Sequence, residues 1–271
     1  MDGEFHLHDY LKRIGYSGTP AADLATLKTL QAAHLAAIPF EAIDPYLRRP
    51  VQLDPAAIQA KLVRGNRGGY CFEQNLLFKA ALEALGFAIT GLAGRVRWMA
   101  PPESPLGPKT HMLLKAELPE GSYIVDVGFG ACLLDAPLQF ATDIEQQTAL
   151  GTYRLSRSGE LFALSAKRQG AWRTMYVFDT QPQLQSDYEL GNWFTSTNPS
   201  IPLTTRLIAE RVVDGRRYRL IDRLVSTERR DGEVAAERTL QNANELDEVL
   251  RDTFGITPPV PADEIFRRTG G

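Results

Sequence analysis

The 271-residue sequence predicts an α+β protein in which helices come first, an antiparallel sheet second and a mixed module last. Three observations carry this order. Apolar residues recur at helical spacing up to residue 86; the period shortens to two from Phe87 to about Phe178; and one well-defined amphipathic helix returns near the C-terminus.

Leu7, Tyr10, Leu11 and Ile14 form one helical stripe before Gly15, and Leu24 and Leu27 begin a second run that Pro39 ends. Asp54 followed by Pro55 reads as the N-cap and first-turn proline of a third helix. A fourth opens near Cys71, carries Phe78, Leu82 and Leu85 on one face, and meets Gly86 where a left-handed C-terminal glycine would sit. Beyond it, β-branched and aromatic runs alternate between turn residues at 119–122, Ser158-Gly159 and Gln169-Gly170, which predicts an antiparallel sheet or small barrel. Residues 182–194 read as a short helix before the loop STNPSIP. Strands then resume around the hairpin signals Asp214-Gly215 and Asp231-Gly232. Leu246, Val249, Leu250 and Phe254 line one face of the final helix, with Gly255 after it.

Composition narrows the function classes. A net charge of −3, with arginine pairs that are short and flanked by acids, gives no footprint for nucleic acid or an anionic membrane. No basic leader and no apolar run of membrane-spanning length is present, so the chain reads as unsecreted and cytoplasmic. Two cysteines in that setting argue against a disulfide framework and leave both thiols free. The four histidines show no metal-ligand spacing, and no Gly-x-x-x-x-Gly-Lys loop occurs, so neither a metal nor a nucleotide-phosphate loop is called for.

The stretch RGGYCFEQN places Cys71 in the first turn of the fourth helix. There the unpaired amides and the positive end of the dipole favour a thiolate and could hold an oxyanion. Burial as a small apolar residue is the competing reading. Glu73 is either an exposed acid complementing the dipole or a buried partner near Arg67. Cys132, in GFGACLLDAP, has no clear helix start and reads as packing.

A nucleophilic thiol needs a base, and the base needs an orienting group. His6 and His8 face different ways on one helix and His34 lies in an alanine-rich one, whereas His111 begins the strand HMLLKAEL after a proline-rich loop. Asp126 interrupts the apolar run YIVDVGFG, where a carboxylate is costly unless paired. If the intervening turn centres on Pro119-Glu120, Asp126 falls opposite Leu113, one diagonal step from His111. If it centres on Glu120-Gly121, Asp126 faces Lys115 and becomes an ordinary ion pair.

RGGYCFEQN, THMLL and YIVDVGFG together resemble the arylamine N-acetyltransferase family, in the spacing of the three motifs and over essentially the whole chain. The resemblance implies a helical bundle over 1–86, an antiparallel β-barrel over 87–195 and an α/β lid over 196–271, around a cysteine-protease-like Cys-His-Asp core. It implies Cys71 as acetylated nucleophile, His111 as base and Asp126 as the residue holding the imidazole. It also implies Phe129 against the thioester, with Thr110, Gly130, Phe194 and Ser200 touching coenzyme A. The implied reaction is ping-pong transfer of acetyl from acetyl-CoA, through acetyl-cysteine, to arylamines, arylhydrazines or N-hydroxyarylamines, as in xenobiotic metabolism. No metal is implied, and a homo-oligomer is compatible with the sequence. A cysteine hydrolase or transglutaminase-like enzyme is the alternative chemistry, and a non-catalytic ligand-binding protein the alternative class.

Overall fold

The computed structural model describes residues 5–101 and 103–270. Parts of the 1–86 and 196–271 spans, and Pro102 of the loop before His111, lie outside the described residues. Chain order begins with α1 (Leu7–Arg13), α2 (Leu24–Ala37), a short strand β1 (Phe40–Glu41) and a single turn α3 (Ile43–Tyr46). It continues with α4 (Pro55–Gln59), extended by a π-helical turn over Ala60–Arg64, and α5 (Cys71–Ala84). The starts are set by short side chains: Asp23 Oδ1 accepts from Thr26 N at 2.8 Å, and Asp54 Oδ1 from Ala57 N at 2.9 Å. Gly86, at φ +86°, adopts the left-handed backbone that ends α5.

Strands β2 (Ala88–Val96), β3 (His111–Leu118), β4 (Gly121–Val125), β5 (Leu138–Gln139), β6 (Glu145–Gln147), β7 (Thr152–Ser158), β8 (Leu161–Arg168) and β9 (Ala171–Phe178) form one antiparallel sheet in the order β5-β4-β3-β2-β9-β8-β7-β6. Its two edges approach one another, since Gln146 both accepts from Gln139 N at 2.7 Å and donates to Gln139 O at 2.9 Å. The sheet is therefore a nearly closed barrel filled by Leu113, Leu155, Leu164, Tyr153, Tyr176 and Phe178.

Helix α6 (Gln185–Thr197) and the single turn α7 (Pro202–Thr205) lead to a second antiparallel sheet. Strands β10 (Ile208–Val213), β11 (Arg216–Ile221), β12 (Leu224–Glu228) and β13 (Val234–Thr239) make it up, with α8 (Ala243–Glu248) and α9 (Ala262–Arg268) packed after it. Asp214 and Gly215, both at positive φ, join β10 to β11 as the sequence predicts. The predicted apolar face of Leu246, Val249, Leu250 and Phe254 is buried.

One difference from the sequence reading matters for the site. Residues 1–86 are not wholly helical: β1 pairs with β10, extending the C-terminal sheet to the order β1-β10-β11-β12-β13. Ile43, Tyr46 and Leu47 likewise pack into the core built by Leu207, Leu246 and Phe254. Two residues carry no measurable period, and β1 exists because β10 offers it an edge. Among the described residues, no helix is long and apolar enough to cross a membrane.

Candidate active site

The loop before α5 is pinned by close backbone approach and buried charge. A Cβ on Gly68 would overlap the Pro39 carbonyl oxygen, and Glu41 N donates to Gly69 O at 3.0 Å, so the glycine pair lets this loop lie against β1. The Arg67 guanidinium is held 2.7 Å from Glu41 Oε1 and 3.1 Å from Asp44 Oδ2. Lys61 Nζ lies 2.7 Å from both Asp44 and Glu73. Glu73 is thus buried, on Lys61 rather than on Arg67, and its second oxygen accepts from Tyr70 N at 3.1 Å, closing the first turn of α5. Burial pushes the Glu73 carboxyl up, although Lys61 pulls it down. In Asp44, burial is outweighed by Lys61 and Arg67, which hold its carboxyl below the usual range.

Cys71 opens α5 and is 5% exposed, its Sγ 3.6 Å from Thr110 O. His111, next in sequence to Thr110, opens β3. Strands β3 and β4 pair in the register that centres the turn on Pro119-Glu120, with Leu114 opposite Val125. Asp126 therefore emerges just beyond β4 on the His111 side, and His111 Nε2 donates to Asp126 Oδ2 at 2.7 Å. The other ring nitrogen remains for Cys71, whose side chain adds to the raising of the imidazole.

Asp126 is fully buried and its acceptors are satisfied. Tyr176 OH donates to Oδ2 at 2.9 Å; Asn75 Nδ2 and Gly128 N donate to Oδ1 at 3.1 and 2.8 Å. Burial alone would raise this carboxyl, but the His111 charge and these hydrogen bonds lower it. For His111, burial works against the cation; the Asp126 charge and hydrogen bond, with the Cys71 hydrogen bond, outweigh it and push the imidazole up to about 10. His111 is therefore cationic near neutrality.

Asn75 ties the cysteine helix to the hairpin. Its Nδ2 also donates to Met112 O at 2.8 Å and its Oδ1 accepts from Val127 N at 3.1 Å. Gly128 permits the approach: a Cβ there would sit 2.6 Å from Cys71 Cα. The Tyr176 ring lies 4.7 Å from the imidazole and Phe129 meets the imidazole edge-on at 5.1 Å, with Trp98 beyond it at 6.0 Å.

These groups face a cavity of about 680 Å³, walled on its far side by residues of the C-terminal part such as Ile201, Leu203, Ile208 and Val234. Cys71, Thr110, His111, Phe129 and Gly130 all line it. Phe194 and Ser200 are not among its lining residues; their neighbours Thr195 and Ile201 are, and Thr195 Oγ1 is buried there with no hydrogen-bond partner among the described residues. No group of three or more acidic, histidine or cysteine side chains that could hold a metal occurs among the described residues.

The remaining candidates separate cleanly. His6 and His8 are exposed. His34 is wholly buried, donating from Nε2 to Gln74 Oε1 at 2.7 Å and accepting on Nδ1 from Tyr10 OH at 2.9 Å, and burial pushes it down to about 4. Cys132 is packed in the barrel core. Sequence reasoning did not find Tyr176, Lys61 or Glu41, and quoted Asn75 without a role. The cost of burying Asp126 was the available signal that more donors must converge there.

A family model described as N-acetyltransferase matches residues 23–261. An arylamine N-acetyltransferase of Mycolicibacterium smegmatis is 42% identical over 253 residues, covering 92% of this chain and 91% of that protein. The chain belongs to the arylamine N-acetyltransferase family. It is, with that family, an acyltransferase. An Escherichia coli K12 arylamine N-acetyltransferase is 39% identical over 92% of this chain and 88% of its own length. The solved Mycobacterium marinum arylamine N-acetyltransferase superposes with a TM-score of 0.92 at 38% identity, covering 97% of this chain and 99% of that one. The same M. marinum enzyme has also been solved in complex with CoA, with a TM-score of 0.91.

Proposed function

We propose that this chain transfers acetyl from acetyl-CoA to the nitrogen of arylamines, arylhydrazines or N-hydroxyarylamines, by a ping-pong route through acetyl-Cys71. The observation that carries the reading is His111, held cationic by Asp126 and lining the same large cavity as Cys71 at the start of α5. The relatives named above supply the substrate class, as arylamine N-acetyltransferases.

In the first half-reaction the Cys71 thiolate, paired with imidazolium, attacks the thioester carbonyl. The amides of the first turn of α5 face the developing oxyanion. The C–S bond to coenzyme A breaks, and the departing sulfur takes its proton from His111. One thioester replaces another, so the step is nearly isoenergetic. In the second half-reaction the aromatic amine attacks acetyl-Cys71, neutral His111 accepts the amine proton, and the sulfur leaves as thiolate. Asp126 fixes the ring so that Nε2–H points at the carboxylate and Nδ1 at the sulfur.

In this reading residues 1–86 carry the nucleophile, 87–195 carry His111 and Asp126, and 196–271 form a lid that shields the acyl-enzyme from water. Phe129 packs on the thioester, while Thr110, Gly130, Phe194 and Ser200 contact the coenzyme. A reducing cytoplasm suits two free thiols.

Incubation with acetyl-CoA followed by proteolysis and mass spectrometry tests the reading: acetyl should appear on the Cys71 peptide, be absent in Cys71→Ala, and leave on addition of an aniline or arylhydrazide. An adduct equally present in Cys71→Ala would overturn it. Loss to water as fast as to amine would make the chain a hydrolase.

A further inference from the structure

Where β2 runs out, Val96, Trp98 and Met99 carry the wall of the cavity to its open rim. Met99 is 71% exposed, whereas Met112 and Met175, the other methionines among the described residues, are fully buried. The wall is continuous with the reaction centre, because Trp98 meets Phe129 and Phe129 meets the His111 ring.

The turn that carries Met99 is firmly held. Arg97 N donates to Met175 O at 2.8 Å, alongside the β2–β9 pairing, and Ala100 N donates to Arg97 O at 3.0 Å, which closes the turn. The Arg97 guanidinium donates on to Pro101 O at 2.7 Å and Ser104 O at 2.9 Å. Met99 stands in this turn at φ +63°, a backbone conformation that favours glycine. It also lies outside all three hydrophobic clusters. Neither backbone preference nor packing accounts for a methionine there.

Its sulfur meets a cation. Arg173 on β9 is exposed and donates from Nη1 to Met99 Sδ at 2.9 Å, and no carboxylate among the described residues lies within ion-pair distance of that guanidinium. A thioether is a weak acceptor, so the charged N–H faces a poor partner. A sulfoxide oxygen on the same sulfur would be a strong one, and exposure to solvent is what selects a methionine for oxidation.

We propose that Met99 is a modification site, at which a hydroperoxide oxidises the thioether to the sulfoxide and so turns an apolar stretch of the cavity wall polar, weakening uptake of an aromatic acceptor. The sulfur lone pair attacks one peroxide oxygen, the O–O bond breaks as the S–O bond forms, and the departing oxygen leaves with the proton as water or an alcohol. Sulfur loses two electrons and the peroxide gains them. Arg173 Nη1 stands where it can donate to the new oxygen, fixing it across the rim between the turn and β9. A thiol-dependent sulfoxide reductase reverses the step, taking the oxygen as water and leaving a disulfide.

The effect on the acceptor rests on the acetyl-transfer reading above; the site of oxidation does not. The test treats the full chain and Met99→Leu with hydrogen peroxide in excess acetyl-CoA, then with dithiothreitol, so that Cys71 is shielded as its thioester and any sulfenic acid is reduced while sulfoxide stays. Peptide mass spectrometry should find one added oxygen on the Met99 peptide, with Met112 and Met175 unmodified. KM for neutral 4-methoxyaniline should rise about fivefold in treated over untreated wild type, with the rate of Cys71 acetylation unchanged, and methionine sulfoxide reductase should restore it. The treated-to-untreated ratio in Met99→Leu should stay near one. Oxygen absent from Met99, or spread equally over the buried methionines, overturns the site. A KM that does not move with oxidation, or moves as much in Met99→Leu, overturns its control of the acceptor. If untreated wild type takes no acetyl on Cys71, the transfer reading falls, and the placement of the oxygen alone decides the site.

Discussion

Replacing Asp126 by asparagine changes one oxygen for an amide in a fully buried position. The new carbonyl oxygen can still accept from Asn75 and Gly128, so the amide nitrogen must take the place of Oδ2 and face two donors, His111 Nε2–H and Tyr176 O–H. The tyrosine hydroxyl can rotate. The imidazole can only exchange tautomers, which turns Nδ1 into a donor toward Cys71 and removes its capacity to accept a proton. Breaking a buried ion pair on one side costs roughly 3–5 kcal/mol. For a chain of this size that is a fall in Tm of roughly 10 °C. Acetyl transfer should fall by about 10³–10⁴ through the wrong tautomer.

The pH dependence separates this account from simple loss of packing. His111 is raised from 6.5 to about 10, so its contribution to stability is full below about pH 6.5 and is lost as pH rises toward 10. Asp126 is held below its usual value, so its contribution is present above about pH 4 and lost in more acidic solution. The difference in Tm between wild type and Asp126→Asn should therefore be largest near pH 5–6 and shrink markedly by pH 9.5. Melting curves in matched buffers measure it. A difference that stays the same from pH 5.5 to 9.5 would refute the ion-pair reasoning.

Two further perturbations probe the scaffold. Gly128→Ala would place a Cβ 2.6 Å from Cys71 Cα and 2.7 Å from Asn75 Nδ2, so we expect about 1–3 kcal/mol of destabilisation and, from a displaced sulfur, roughly a hundredfold slower acetylation of Cys71 in single-turnover assays; a wild-type rate would contradict the tight contact. Arg67→Gln would strand the fully buried Glu41 and should cost roughly 3–5 kcal/mol in urea unfolding, much of it recovered in the double variant Arg67→Gln/Glu41→Gln; strictly additive losses would show that the two side chains are not coupled.

What was legible in the sequence was local. Asp214-Gly215 announced its hairpin because both residues tolerate positive φ, whereas the equally tight turn at Asp222-Arg223, between β11 and β12, lacks the glycine and left no signal. Cys71 at a helix start was readable from Gly68 and Gly69, but whether those glycines gave flexibility or close approach was not. The structure shows close approach, to Pro39 and to β1, a strand that exists only because β10 lies alongside. The hairpin offered two registers, and a one-residue shift in its turn would have carried Asp126 away from His111. The observed register sets Asp126 beside the histidine, and part of what holds it lies outside the hairpin: Asn75 on α5 bonds Met112 O, Val127 N and the carboxylate at once, tying both strands' ends to the cysteine helix. Tyr176 was invisible for the same kind of reason, since it reaches Asp126 from a strand 50 residues away in sequence. The cost of an unpaired carboxylate could be read along the chain; the donors that relieve it come from α5, β9 and the turn after β4, and closing the barrel is what brings them together.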